Sequence, residues 1–437
     1  MTVPADDMSS ALTGVESRSG GRWFGIPVAL LLVVLSSYSA PALPILGPSL
    51  MAYFKLTEMQ LGTLFAAAMA GSVPALLVLG PLSDRFGAKR ILRIAFTGVG
   101  VGYALCSMGS HLSVFLVGLA LTGFFGIGIL LCIPTYLVRL YPGHQRRVLA
   151  LAFMGLSISS LVVPLVLQAA LKRYPGHFAQ ILHLPFAIVS ILLLLTQFLF
   201  VAVPADPGPS HLFSLREGLH QLTRPTLLLI AMLAILHGSS DSTFYVWFPT
   251  FAGRHFDKMP LPPGTVISLC ALAYVVARTT MALLPETLGR RALLVVPGLL
   301  GGCILLASLW SNSALLLCIG YPVASFVWSP EYPAAMAEAS RRVPAYFTSF
   351  LAVKMLTAQA CTAIMLPLTG SLMKYFSTAG SAHILAGADY PGLRPDLRLA
   401  MTLPPIGFML FGFLAWVTGL GRSTAASPPA KPEKGTE

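Results

Sequence analysis

The stretch Gly80-Pro-Leu-Ser-Asp84-Arg85-Phe-Gly87-Ala-Lys89-Arg90 is short, charged and punctuated by glycine. Apolar sequence flanks it, from Leu61 to Leu79 before it and from Ile91 to Ser110 after it, interrupted only by Arg93. Each run has about 20 residues, the length a helix needs to cross the hydrocarbon core of a bilayer. Two such helices joined by so short a loop make a tight hairpin with its turn at one membrane face. Arg85, Lys89 and Arg90 outweigh Asp84, so the turn is expected in the cytoplasm, where basic loops are retained.

The same pattern continues through all 437 residues, of which 56% are hydrophobic and 10% charged. Soluble domains carry roughly 25% charged residues, and a soluble chain this poor in charge would leave its surface uncovered. The chain reads as an all-α polytopic membrane protein in contact with the lipid bilayer. Its net charge of +12 does not point to nucleic acid, because the basic residues fall in alternate loops. Even-numbered loops carry Arg85/Lys89/Arg90, Arg139/Arg146/Arg147, Arg216/Arg224, Arg290/Arg291 and Arg341/Arg342. Odd-numbered loops are mixed, as with Lys55 beside Glu58 and Arg254 beside Asp257. Both termini are therefore expected in the cytoplasm, with the protein in the inner (plasma) membrane. Cys106, Cys132, Cys270, Cys303, Cys318 and Cys361 all sit inside apolar runs and read as reduced core residues. The polar segment Met1 to Gly21 lacks the basic start and immediate apolar region of a secretory signal.

Apolar runs predict twelve spans, at 23–46, 58–80, 90–109, 112–138, 148–171, 181–203, 225–250, 264–285, 292–310, 313–339, 344–373 and 399–420. The proline-dense segment from Pro204 to His211 ends a helix and begins a linker. The expected organisation is a tail at 1–21, a six-helix bundle at 22–203, a cytoplasmic linker at 204–224, a second bundle at 225–420 and a tail at 421–437. Ser214 to Leu222 is amphipathic enough for a short surface helix. The halves echo each other. Pro134-Thr-Tyr136 before Arg146-Arg147-Val148 matches Pro330-Glu-Tyr332 before Arg341-Arg342-Val343, and Arg173-Tyr174 matches Lys374-Tyr375. Pro285-Glu286-Thr-Leu-Gly289-Arg290-Arg291 is a degraded copy of the opening stretch. Echoes in the same order suggest an internal duplication into two parallel halves.

The pattern G-x-L-x-D-R-x-G-x-K-R between the second and third spans resembles the signature loop of the major facilitator superfamily of transporters. The resemblance, extended by the echoes to residues 23–420, implies two pseudo-symmetric six-helix bundles around a central cavity. It implies secondary transport of a small molecule by alternating access, not an enzyme, with no cofactor or metal and a monomeric protein. It also implies a conformational latch. Asp84, helped by Arg85, would contact neighbouring helix ends, and Gly80 and Gly87 would allow close approach, with Lys89 and Arg90 completing the motif. In the second copy Glu286 stands in place of Asp84 and Ala282 in place of Gly80, so that latch should be weaker. Glu338, just ahead of Arg341 and Arg342, reads as a further ion-pair latch. In similar transporters, spans one, four, seven and ten line the cavity.

A charge at the bilayer centre costs at least a few kcal/mol, so each one needs a reason. Counting 1.5 Å per helical residue, Arg278 lies about 17 Å inside its span, Glu331 about 15 Å and Lys354 about 18 Å. His237 and Asp241 stand four residues apart on one helix face. The first half offers hydroxyls at similar depth: Ser36, Ser37, Tyr38 and Ser39, Tyr136, and Ser157, Ser159 and Ser160. The functional reading makes Asp241, Arg278, Glu331 and Lys354 a cavity-facing network that exchanges partners. Substrate-binding candidates are Arg278, Lys354, Glu331, Tyr38 and Tyr136; proton-coupling candidates are Asp241, His237 and Glu331. The alternative is static pairing of Arg278 with Glu331 and of Asp241 with Lys354. The group Phe244-Tyr245-Val-Trp247-Phe248-Pro249 reads as an interfacial aromatic belt or as an outer gate.

No phosphate-cradling glycine loop with a lysine is present, so ATP drive is not expected. The proline-glycine-rich motif of many drug antiporters is missing from the fifth span, where Gly155 to Pro164 reads Gly-Leu-Ser-Ile-Ser-Ser-Leu-Val-Val-Pro. The leading expectation is proton-coupled uptake of a small organic anion. Efflux of an amphiphilic compound is the alternative, and a non-transporting scaffold or receptor is the alternative of another class.

Overall fold

A computed structural model describes residues 19–56, 58–141, 145–198, 215–256, 258–283, 291–343, 346–385 and 397–420. Twelve helices among these residues are long and apolar enough to cross a bilayer. They are Pro27–Phe54, Gln60–Leu79, Ala88–Met108, Leu112–Val138, Arg147–Arg173 and Phe178–Thr196, then Pro225–Gly253, Pro263–Met281, Ala292–Trp310, Ala314–Arg342, Ser349–Met373 and Arg398–Val417, called here spans one to twelve. Large apolar side chains such as Ile94, Val117, Leu184, Leu316 and Ile364 point outward. That exposure suits a surface bathed by acyl chains, and the helices satisfy their own backbone hydrogen bonds where lipid cannot.

Helices in a bilayer gain little from hiding apolar surface, so close backbone packing has to hold them together. Glycine supplies it here. Span two lies so near span four that a Cβ on Gly71 would sit 2.1 Å from the Ala120 carbonyl oxygen. One on Gly123 would sit 1.7 Å from that of Ala68. In the second half Gly302 faces the Pro405 carbonyl oxygen and Gly412 that of Val295, joining spans nine and twelve.

The opening stretch is not the loop that the sequence suggests. One helix runs Glu58–Phe86 and the next Ala88–Met108, so the motif is helical on both sides of a single residue. Gly87 makes the whole turn, at φ +83° and ψ 143°, a conformation that almost only glycine adopts. This turn marks the motif end of the molecule. The linker helix, Leu215–Gln221, packs on span eleven. A Cβ on Gly218 would meet the Ser349 carbonyl oxygen at 2.6 Å.

Two spans break near their middle. Span one is helical over Ser19–Ser36 and again over Ser39–Phe54, and Pro41 has no N–H to bridge the gap. The freed backbone is satisfied from span three: the Tyr103 hydroxyl donates to the Ser36 carbonyl at 2.5 Å and accepts from the Ser39 N–H at 3.2 Å. Span ten breaks between Trp328 and Glu331, at Pro330. Span eleven continues as one helix, Phe347–Leu385, well past the predicted end.

Gly123→Val should fail to yield stable protein, with overpacking at or above the usual ~1–3 kcal/mol. Gly126→Ala, with nothing within 4 Å of its added Cβ, should leave the melting temperature in detergent unchanged. Equal melting of both variants would contradict the packing described.

Candidate functional site

A cavity of about 420 Å³ lies between the two six-helix halves, within the ordinary range for small-molecule pockets. The break in span one turns Ser37 and Ser39 toward it. Span five adds Ser157 and Ser160, span seven Asp241, Ser242 and Tyr245, and span eight Cys270, Tyr274 and Arg278. The rest is apolar or aromatic, including Phe65, Met69 and Tyr321.

Charge enters through Arg278 and Asp241. Arg278 is 9% exposed, and its Nη1 donates to Ser157 Oγ at 2.8 Å. Its guanidinium carbon stands 4.7 Å from the Tyr274 ring centre, a cation–π contact. The Tyr274 hydroxyl is directed at the Asp241 carboxylate and accepts a hydrogen bond from Trp328 Nε1. An indole N–H only donates, so the tyrosine proton is left for Asp241. Trp328 is itself fixed by stacking on Phe408 at 4.0 Å. The cavity therefore presents one cation, one carboxylate, a set of hydroxyls and several rings.

A second polar cluster lies outside this cavity, within the second half. His237 Nδ1 and Glu331 Oε2 are 2.9 Å apart, both buried. Glu331 Oε1 has no hydrogen-bond partner and lies against Gly298, where a Cβ would approach it to 2.5 Å. Lys354 Nζ donates to the Tyr332 hydroxyl and stands 4.2 Å from the centre of that ring. The His237 ring lies 5.8 Å from the same tyrosine, which joins both contacts into one group.

Several expectations change here. His237 faces Glu331, not Asp241, because four residues on a helix leave a 40° offset that lets the two side chains diverge. Neither static pairing is formed: Arg278 meets Ser157 and Tyr274, and Glu331 meets His237. Of the five substrate-binding candidates, only Arg278 lines the cavity. Tyr38 turns into its own half against Tyr103 and Phe186. Tyr136 is fully buried away from the cavity wall, as are Lys354 and Glu331. The aromatic group of span seven is no belt. Phe244 and Phe248 are buried against Tyr321, and Trp247 Nε1 donates to the Leu366 carbonyl at 3.0 Å. Tyr274 escaped notice, although its place four residues before Arg278 sets it on the same helix face.

The sequence profile of the Major Facilitator Superfamily matches residues 28–350. The chain belongs to that superfamily. This facilitator is 28% identical over 142 residues to the 4-hydroxybenzoate transporter PcaK of Acinetobacter baylyi, covering 32% of this chain and 31% of that protein. It is 26% identical over 141 residues to a gallate transporter of Pseudomonas putida, again covering 32% and 31%. These matches span about a third of the curated relatives. Among solved structures, the proton:xylose symporter XylE superposes with a TM-score of 0.67 at 17% identity, covering 92% of this chain and 96% of that one. The human organic anion transporter MFSD10 gives 0.64 at 16%, covering 90% and 99%. The structural likeness establishes the fold, and the family places the protein among multi-pass membrane transporters rather than enzymes.

The facilitator's motif residues are only partly on view. Gly80 lies inside the span-two helix and Gly87 is the turn, with Lys89 half-buried and Arg90 exposed. Arg85 is exposed and stands over Phe86. The Asp84 side chain and the whole of Glu286 lie outside the described residues. Glu338 is paired along its own helix, with Arg342 Nε at 2.7 Å and Arg341 at 3.7 Å.

Replacing Glu331 with Ala strands His237 Nδ1 in the interior, at a cost of about 1–3 kcal/mol. Glu331→Gln should melt much closer to wild type, because its amide can still bond the imidazole. Thermal unfolding in detergent separates the two; identical losses would contradict the pairing.

Proposed function

We propose that this facilitator takes up a small organic anion together with protons, moving it by alternating access of its two halves. Arg278 carries this reading. It is a buried guanidinium on the wall of a largely apolar cavity, and its fork geometry suits a carboxylate. Apolar walls with scattered serine hydroxyls suit an aromatic carboxylate bearing hydroxyl groups. The names of the 4-hydroxybenzoate and gallate transporters support that class. Asp241, on the same wall, competes with the substrate for the positive charge. Protonation of Asp241 would free Arg278 for the anion, which is one route to proton coupling. His237 and Glu331 supply a second proton-holding pair between spans seven and ten. The basic even-numbered loops support a motif end in the cytoplasm of an inner (plasma) membrane protein, where the signature motif and Glu338 with Arg341 would act as latches.

The apolar and aromatic share of the wall favours a second reading, export of an amphiphilic compound. Proteoliposomes decide between them. Uptake of 4-hydroxybenzoate should rise with an inward proton gradient, collapse with an uncoupler and be lost in Arg278→Ala. Lys354→Ala, off the cavity wall, should keep its thermal stabilisation by the anion. If only neutral or cationic amphiphiles stabilise the protein, and Arg278→Ala responds to them as wild type does, export replaces uptake.

A further inference from the structure

Asp241 ends a hydrogen-bond chain that crosses the second half of the molecule. Trp328, the last helical residue before the break in span ten, stacks on Phe408 of span twelve with ring centres 4.0 Å apart. Its Nε1 donates to the Tyr274 hydroxyl of span eight, and that hydroxyl bonds the Asp241 carboxylate of span seven. Trp328, Tyr274 and Phe408 are all buried. An indole N–H can only donate, so the chain has one direction and Asp241 is its acceptor. The Tyr274 ring also carries the Arg278 guanidinium, 4.7 Å from its centre. One side chain thus meets both charged groups of the cavity wall.

The titratable and charged groups around Asp241 are Tyr245 on its own span, Cys270, Tyr274 and Arg278 on span eight, and Tyr321 on span ten. The first half presents serine hydroxyls and apolar groups to the same cavity. A hydrogen bond to a carboxylate is about twice as strong as one to a neutral acid. Tyr274 therefore favours Asp241 in the form that competes with an anion for Arg278. Trp328 strengthens that bond, because a hydroxyl that accepts one hydrogen bond donates the next more strongly. We propose that Tyr274, held by Trp328, is a positioning residue for proton coupling: it sets the pH at which Asp241 takes its proton and yields Arg278 to the anion. This deepens the reading of the cavity as a proton-coupled anion site and rests on it.

Equilibrium binding of 4-hydroxybenzoate to the purified protein is followed over a pH range in which the ligand stays a carboxylate. Wild type is compared with Tyr274→Phe, Trp328→Phe and Asp241→Asn. Wild-type binding should weaken as pH rises, and Asp241→Asn should remove that dependence. Tyr274→Phe keeps the ring beside Arg278 and loses only the hydroxyl. It should match wild type on the low-pH plateau and lose affinity about one pH unit higher, because a carboxyl group without its donor keeps its proton longer. Trp328→Phe, which keeps a ring against Phe408, should move the profile the same way by less. A purely structural Tyr274 would lower affinity at every pH and leave the midpoint in place. That result, an unmoved midpoint in both variants, or a pH dependence that survives Asp241→Asn or is absent from wild type, overturns the proposal and leaves the anion site intact. A wild type that binds no aryl carboxylate at any pH defeats the anion reading and the proposal with it.

Discussion

A charged group at membrane depth has no water to fall back on, so the protein must solvate it. Arg278 shows the solution: a hydroxyl from the other half, a ring face beside it and a carboxylate on the same wall. His237 and Glu331 solve the same problem pairwise, and Lys354 does so with a tyrosine face and its hydroxyl. His237 and Glu331 form an acid–base pair, while Arg278 and Lys354 rest against hydroxyls and ring faces.

The backbone meets the same constraint. Where span one breaks ahead of Pro41, the Ala40 N–H bonds the Ser37 carbonyl, and Tyr103 reaches across from span three to the Ser36 carbonyl. That repair lets the chain present Ser37 and Ser39 to the cavity. Irregular backbone at this depth survives only where protein or a polar cavity satisfies it. Elsewhere glycine lets helices approach until carbonyl oxygens nearly touch the neighbouring backbone, giving each half a rigid frame around its breaks.

Much of the fold was legible in the sequence because it rests on strong, local signals. Twelve apolar runs and the motif around Gly87 are each readable within one segment. Helical rise also sets an expected depth, and that expectation singled out Asp241, Arg278, Glu331, Lys354 and His237. Direction was not. A residue count sets how far a side chain lies from the membrane face, not which neighbour it meets. His237 and Asp241 share a helix yet meet different partners, and Tyr38 turns inward beside serines that face the cavity. Interhelical crossing decides these matters, and it depends on contacts between distant segments. The turn at Gly87 was misread as a loop because charge and glycine mark a chain reversal without saying that a single residue makes it.

The account turns on the claim that Arg278 makes this cavity an anion site. The most direct measurement compares equilibrium binding of 4-hydroxybenzoate with that of 4-hydroxybenzamide, nearly the same shape without the charge. The account predicts that the carboxylate binds tenfold tighter or more, about 1.4 kcal/mol or above. Equal affinity, or preference for the amide, would contradict it.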